Sequence, residues 1–254
     1  MLHLMADEHP LSMKLPPISK VSPKKPPKNT QDHTSLTQKM KKVDRYTFKN
    51  ALTSGLNRLV AAESLVTRYD TIVGDGDCGV GLKRGAEAIL GLLNNPSIPL
   101  NDDILRSLNK IIGLVETTMD GTSGAIYAIF LNALAHGLRE QDSSPGGGSV
   151  PVTAQIWSHA LQHSLKALAK YTPAQPGDRT LMDALVPFID KLAECGDVKA
   201  AALAAKEGAE STKGMKASLG RAVYVGGEEE WMGKIPDPGA YGLSEFLGGL
   251  ADGI

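Results

Sequence analysis

Asp70-Thr71-Ile72-Val73-Gly74-Asp75-Gly76-Asp77-Cys78-Gly79 places three carboxylates and three glycines within ten residues. Aspartates this close repel one another unless a cation stands between them, and glycines let a backbone turn with positive φ and approach a ligand. Such oxygen donors suit a hard divalent ion. Magnesium takes a few carboxylates, keeps some water and shares the rest of its shell with phosphates, so the stretch reads as a Mg-nucleotide loop. Gly74-x-Gly76-x-x-Gly79 also has the spacing of a dinucleotide-binding fingerprint, with a strand-like Thr71-Ile72-Val73 before it. That reading fails on charge. Residues between those glycines lie against a pyrophosphate, and here they include Asp75 and Asp77. The rejection bears on the fold, because the fingerprint belongs to a parallel α/β sheet. An EF-hand starting at Asp75 fails at its twelfth position, which is Ala86 rather than glutamate. A solvated Asp/Gly turn is the plain alternative.

Helical periodicity flanks the stretch on both sides. Upstream, Phe48, Leu52, Leu56, Leu59 and Val60 recur at spacings of three and four, and Leu65 and Val66 lead into the aspartates. Downstream, Leu82, Ala86, Ile89, Leu90 and Leu93 form a stripe that ends at Asn94-Asn95-Pro96. Asn101-Asp102-Asp103 reads as a helix start before Ile104, Leu105, Leu108, Ile111, Ile112 and Val115. Further helices are expected over 125–138, 152–168, 181–195, 198–213 and 240–250, with Pro187 kinking the third of these. Gly220-Arg221-Ala222-Val223-Tyr224-Val225-Gly226 is short and β-branched, too little for a sheet. Eight helices without a series of strands predict an all-α domain over 45–254.

Polar glycine breaks at 74–79, 121–124, 177–180 and 237–239 alternate with these helices. An up-and-down arrangement gathers several of them at one end. In Met119-Asp120-Gly121-Thr122-Ser123-Gly124 the hydroxyls stand at a helix entry, where free amides make a ready anion site. A simple Ser/Thr cap is the alternative there.

Composition bounds the rest. The 254 residues are 42% hydrophobic, enough for one large domain or two small ones. A formal net charge of -1 gives no global reason to expect nucleic acid or an anionic membrane as partner. No apolar run approaches the roughly 18 residues of a membrane span, and Met1-Leu2-His3-Leu4-Met5-Ala6-Asp7-Glu8 lacks a basic-then-apolar signal pattern. Cys78 and Cys195 alone suit reduced thiols in a cytoplasmic setting. Cys78 reads as a partly buried filler, because nearby carboxylates raise a thiol pKa. Residues 1–44 stand apart: Pro16-Pro17, Pro23-Lys24-Lys25-Pro26-Pro27-Lys28, Lys39, Lys41 and Lys42 carry few large apolar groups, as a disordered basic tail or linker does.

Taken together, Gly74-Asp75-Gly76-Asp77-Cys78-Gly79, Gly121-Thr122-Ser123-Gly124, Gly177-Asp178-Arg179-Thr180, Gly220-Arg221-Ala222 and Asp237-Pro238-Gly239-Ala240 resemble the nucleotide-binding domain of the dihydroxyacetone (glycerone) kinases, called DhaL or DAK2. The likeness is greatest to the ATP-dependent eukaryotic type, and it runs in order over nearly all of 45–254. It implies an eight-helix antiparallel barrel that binds ATP or ADP with two Mg2+ ions at one end. The implied reaction transfers the γ-phosphoryl group to dihydroxyacetone, giving dihydroxyacetone phosphate. By that resemblance Asp70, Asp75 and Asp77 bind metal, while Asp75, Asp77 and Arg221 serve catalysis. Thr122 and Ser123, with the amides around Gly121 and Gly124, hold phosphate. Gly76, Cys78, Gly79, Arg179, Thr180, Leu181, Arg221 and the Asp237-Pro238-Gly239 turn line the nucleotide.

Two residues depart from the pattern. Asp120 replaces the first glycine of the usual phosphate loop, and Leu181 stands where many relatives carry Met. The resemblance also implies a separate DhaK-type domain that holds substrate through a hemiaminal to a histidine. Residues 1–43 are too short to be that domain, and His3 and His33 read as solvated. The chain is therefore expected to work with such a domain or subunit, and to be inactive without it. A non-catalytic nucleotide-binding regulatory module and a fatty-acid-kinase-like subunit stay open as alternatives, the latter less favoured because those relatives carry Asp-Gly-Asp-Thr-Gly. A homodimer through an exposed helix face stays open too.

Overall fold

The computed structural model of the chain describes residues 41–42, 44–97, 103–141 and 150–254. The tail over 1–40, with His3 and His33, and the Asn101-Asp102 helix start lie outside the described residues. Eight long helices run in order: α1 (Arg45–Val73), α2 (Cys78–Asn94), α3 (Ile104–Thr118), α4 (Gly121–Glu140), α5 (Ala154–Leu168), α6 (Met182–Cys195), α7 (Val198–Ser211) and, after the single-turn α8 (Glu228–Trp231), α9 (Pro238–Asp252). Their starts follow the local chemistry. Asp44, Asp103, Thr153, Asp197 and Asp237 each cap a helix by accepting amide hydrogens of its first turn, an interaction worth typically ~1 kcal/mol. Asp77 and Asp120 hold the same position before α2 and α4 but make no capping bond.

Among the described residues the only strand pairing is between β1 (Lys41–Lys42) and β2 (Val150–Pro151), which run parallel. Lys41 and Lys42, read from the sequence as part of the tail, are thus in register with the segment leading into α5.

Each long helix packs on the next, and α9 packs on α7 and back on α1, so the eight form a closed ring. The α1–α9 seam is antiparallel. Gly253 lies against Asn50 and Ala51, Gly249 against Ser54, and Gly242 against Val66, while the Tyr69 and Tyr241 rings meet edge to face at 5.2 Å. Short links make α1–α2, α2–α3, α3–α4 and α6–α7 antiparallel as well. Gly137, late in α4, lies against Ala160 of α5, and the Asp237 amide just before α9 donates to Thr212 just past α7, which gives the same sense across the longer connections. Parity then puts the α1–α2, α3–α4, α5–α6 and α7–α9 connections at one end of the ring and the remaining three at the other.

The apolar stripes of the helices fill this ring. Leu56, Leu59 and Val66 meet Leu82, Ala86, Ile89 and Val115. Leu185, Phe188 and Ile189 meet Ala201, Ala205, Leu243 and Leu247. Ile104, Leu108, Leu134, Leu138 and Ala160 complete the core. Burying a large apolar side chain of this kind contributes about 1.5–3 kcal/mol.

Two stretches of β-like composition are not strands. Thr71-Ile72-Val73 is the last turn of α1 rather than a strand, because Val73 is buried in the core and packing outweighs the preference of β-branched residues. Arg221–Tyr224 forms a 3-10 turn. Pro187 lies inside α6, which runs unbroken from Met182 to Cys195.

Candidate functional site

All five polar motifs fall on the four connections that share one end of the ring. Asp70 occupies the last turn of α1, and its Oδ2 accepts the Cys78 amide hydrogen at 2.9 Å, folding the start of α2 over the end of α1. Gly76 makes the turn between them at φ 81, a conformation that a side chain disfavours. Asp70 is buried, Asp75 and Asp77 are exposed, and one oxygen from each lies within 4.8 Å of the others. Burial first, and then the charges of Asp75 and Asp77, push the Asp70 carboxyl above its ordinary range against the pull of the Cys78 amide. A divalent cation relieves this repulsion, and three carboxylates are a donor set that fits Mg2+.

The α7–α9 connection reaches the same place. Arg221 Nη1 meets Asp75 Oδ2 at 2.7 Å. Asp237 is fixed by its amide, which donates to Thr212 Oγ1 at 2.7 Å, and by its Oδ2, which accepts the Ala240 amide hydrogen at 2.8 Å. Burial pushes its carboxyl up to about 6; the Ala240 amide and Arg179 pull it down, and Asp183 and Asp70 push it further up.

The α5–α6 connection supplies Arg179, at φ 60 and only 1% exposed. Its guanidinium lies 4.5 Å from the centre of the Trp231 ring, and Nη2 donates to the Ile235 carbonyl at 2.9 Å. Nε and Nη1 make no hydrogen bond within the protein. Leaving buried charged donors unpaired is costly. Asp183 holds the turn in shape by accepting the Gly177 amide hydrogen at 2.6 Å and the Thr180 amide hydrogen at 2.8 Å. Thr180 Oγ1 accepts the Met182 amide hydrogen at 3.2 Å, so it serves the start of α6. Leu181 and Gly239 are neighbours, since a Cβ at 239 would lie 3.6 Å from the Leu181 Cβ.

Gly121, Thr122, Ser123 and Gly124 form the first turn of α4. Asp120, the departure before them, pairs with Arg84 of α2 at 2.5 Å, and Arg84 Nε donates to the Thr118 carbonyl at 2.5 Å. Its added charge is therefore answered from α2. Ser123 hydrogen-bonds Cys78, whose thiol is pushed up to about 12 by burial first and then by Asp70, Asp237 and Asp77. The thiolate is the nucleophile of alkylation, so Cys78 is expected to resist iodoacetamide at pH 8 while the exposed Cys195 reacts. Mass spectrometry of the folded chain should show one fast label that Cys195→Ser abolishes; fast labelling of Cys78 would contradict the assignment.

The DAK2 domain family matches residues 72–252. The chain belongs to this family. This DAK2 domain is 46% identical over 211 residues to a dihydroxyacetone kinase of Pichia angusta, covering 81% of this chain and 34% of that protein. It is 44% identical to dihydroxyacetone kinase 2 of Saccharomyces cerevisiae (82% and 35%) and 34% identical to triokinase/FMN cyclase of Homo sapiens (74% and 32%). The crystal structure of the dihydroxyacetone kinase from C. freundii in complex with AMP-PNP and Mg2+ superposes with a TM-score of 0.64 at 27% identity, over 91% of this chain and 38% of that one. The DAK2 domain thus spans about a third of the length of these curated relatives. None of its described helices is long and apolar enough to cross a membrane.

Several residues of the DAK2 domain that shape the site escaped the sequence reading. Asp183 carried a signal, an acidic residue in the first turn of a helix just after a Gly-Asp-Arg-Thr turn. Trp231 carried a weaker one, as one of two tryptophans. Arg84 and Thr212 carried none, because their roles depend on partners far along the chain.

Proposed function

We propose that this domain binds Mg-ATP at the motif-bearing end of the ring and donates the γ-phosphoryl group to dihydroxyacetone, held by a separate DhaK-type substrate-binding domain. The observation that carries the reading is the convergence of the Asp70, Asp75 and Asp77 oxygens within 4.8 Å at the end where α4 begins. The names of the relatives, and the AMP-PNP and Mg2+ of the C. freundii complex, support the substrate and the cofactor.

Asp70, Asp75 and Asp77 would hold two Mg2+ ions, whose chemistry there would be neutralisation of phosphate charge. Gly76, Cys78 and Gly79 bring backbone close to that centre. Gly121, Thr122, Ser123 and Gly124 offer amides and hydroxyls at a helix N-terminus, a natural cradle for phosphate oxygens. Arg221 exchanges its Asp75 partner for phosphate, adding positive charge where the transferred group gains negative charge; Asp75 and Asp77 position the reacting end. Arg179, Thr180, Leu181 and the Asp237-Pro238-Gly239 turn line the nucleotide, with Arg179 Nε and Nη1 as its unpaired donors. The unpaired state of Cys78 and Cys195 supports a reducing, cytoplasmic setting.

The test is ATP-dependent phosphorylation of dihydroxyacetone at saturating Mg2+, with and without an added substrate-binding domain from a relative. Turnover only with the added domain is the expected result. Tight Mg-ATP binding without turnover in either condition would replace this reading with that of a nucleotide-binding regulatory module.

A further inference from the structure

We propose that His136, Glu140 and His163 form a Zn2+ site on the outer face of the ring, separate from the aspartate loop. His136 and Glu140 stand four residues apart on α4, on one face of the helix, and His163 faces them from α5. Glu140 Oε2 lies 3.7 Å from His136 Nδ1 and 3.2 Å from His163 Nδ1, and the three ligand atoms fall within 4.8 Å of one another. Ligand atoms at 2.0–2.2 Å from a tetrahedral Zn2+ lie roughly 3.3 Å apart. The cluster therefore needs only small side-chain adjustments to close on an ion.

The donor chemistry selects the metal. Two imidazole nitrogens and one carboxylate match the His2Glu set of zinc sites with an open fourth position, whereas Mg2+ takes oxygen donors. The helices hold the ligands in place. A Cβ on Gly137 would lie 3.1 Å from Ala160 Cα and 3.2 Å from His163 Cβ, so this glycine sets the close approach of α5 to α4 beside the ligands. The two rings are 5.2 Å apart and tilted by 51°, an arrangement with no face-to-face stack to break. His136 and Glu140 are exposed and His163 is half-buried, which leaves solvent access for an ion and its water.

From Ser123 to Glu140 the α4 axis rises about 25 Å at 1.5 Å per residue, so the ion sits far from the nucleotide end. Its chemical role is to brace α4 against α5, two helices joined here by packing and by the Glu140–His163 contact.

The test uses the full chain, stripped with chelator and then titrated with Zn2+ against a chromophoric competitor in excess Mg2+, which occupies the aspartate loop. One Zn2+ per chain is expected. His136→Ala and His163→Gln should each weaken binding by more than the roughly 10–100-fold typical of changes outside the ligand shell, while Asp77→Asn leaves it unchanged. Zn2+ should raise the Tm of the parent chain and not that of His163→Gln. Circular dichroism establishes that the surface variants stay folded. Equal Zn2+ affinity in the parent and both histidine variants, or its loss in Asp77→Asn, overturns the proposal.

Discussion

Asp75→Ala and Asp77→Ala are each expected to abolish Mg-dependent nucleotide binding while leaving the fold intact. Neither carboxylate supports the architecture. Asp77 precedes α2 without capping it, and Asp75 spends its charge on an exposed pair with Arg221, a kind of contact worth about 0–1 kcal/mol. Removing either one also relieves the repulsion that raises the Asp70 carboxyl, so thermal stability without ligand should hold or rise slightly. What is lost, on the proposed reading, is a metal ligand. A weakening of Mg-ATP binding by about 100-fold or more, near 3 kcal/mol, should appear in calorimetric titration, with ATP in chelator as the baseline. Full Mg-ATP affinity in both variants would refute the assignment of the loop.

Gly208→Ala should lower both stability and nucleotide affinity, although residue 208 carries no functional group. A Cβ there would lie 1.9 Å from the Asp183 carbonyl oxygen and 3.2 Å from Pro187 Cγ. The neighbour is backbone and cannot rotate away, so α6 and α7 must separate. Overpacking of this kind costs typically about 1–3 kcal/mol. The displaced residue is Asp183, whose carboxylate holds the Gly177 and Thr180 amides around Arg179. Strain at the helix contact therefore reaches the Gly177–Thr180 turn that we propose lines the nucleotide. Gly113→Ala is the control, because α3 leaves open space there and the helix interior favours alanine by about 0.5–1 kcal/mol. If Gly208→Ala melts with that control and binds Mg-ATP normally well below its Tm, the close contact does not exist in solution.

The parts of the fold legible in the sequence were those set by local periodicity. Stripes such as Leu82, Ala86, Ile89 and Leu93 declared their helices, and alternation of helices with glycine breaks was enough to expect the motifs at one end. Helix starts were less legible where the candidate site overlays them. Cys78 and Gly121 already belong to α2 and α4, yet glycine and aspartate read as loop. Thr71-Ile72-Val73 is strand-like in composition, yet it closes α1, where Val73 is buried, a tertiary effect. In the proposed site, crowding marks out the aspartates, and one oxygen from each comes within 4.8 Å of the others. The stacking of Arg179 on Trp231, the Arg84 answer to Asp120 and the Asp183 clasp join residues on different elements, and no spacing in the chain encodes them.

Because the ring holds an even number of long helices, α1 begins and α9 finishes at the face opposite the aspartates. Tags, fluorophores or surface tethers attached beside Arg45 or Asp252 would leave the mouth of the site clear for a macromolecule arriving end-on. A covalent leash returning from Arg45 to that mouth has to run the length of α1, about 40 Å to Asp70. It needs at least a dozen or so extended residues to do so, which sets a minimum linker for any fusion meant to deliver a substrate carrier to the proposed nucleotide site.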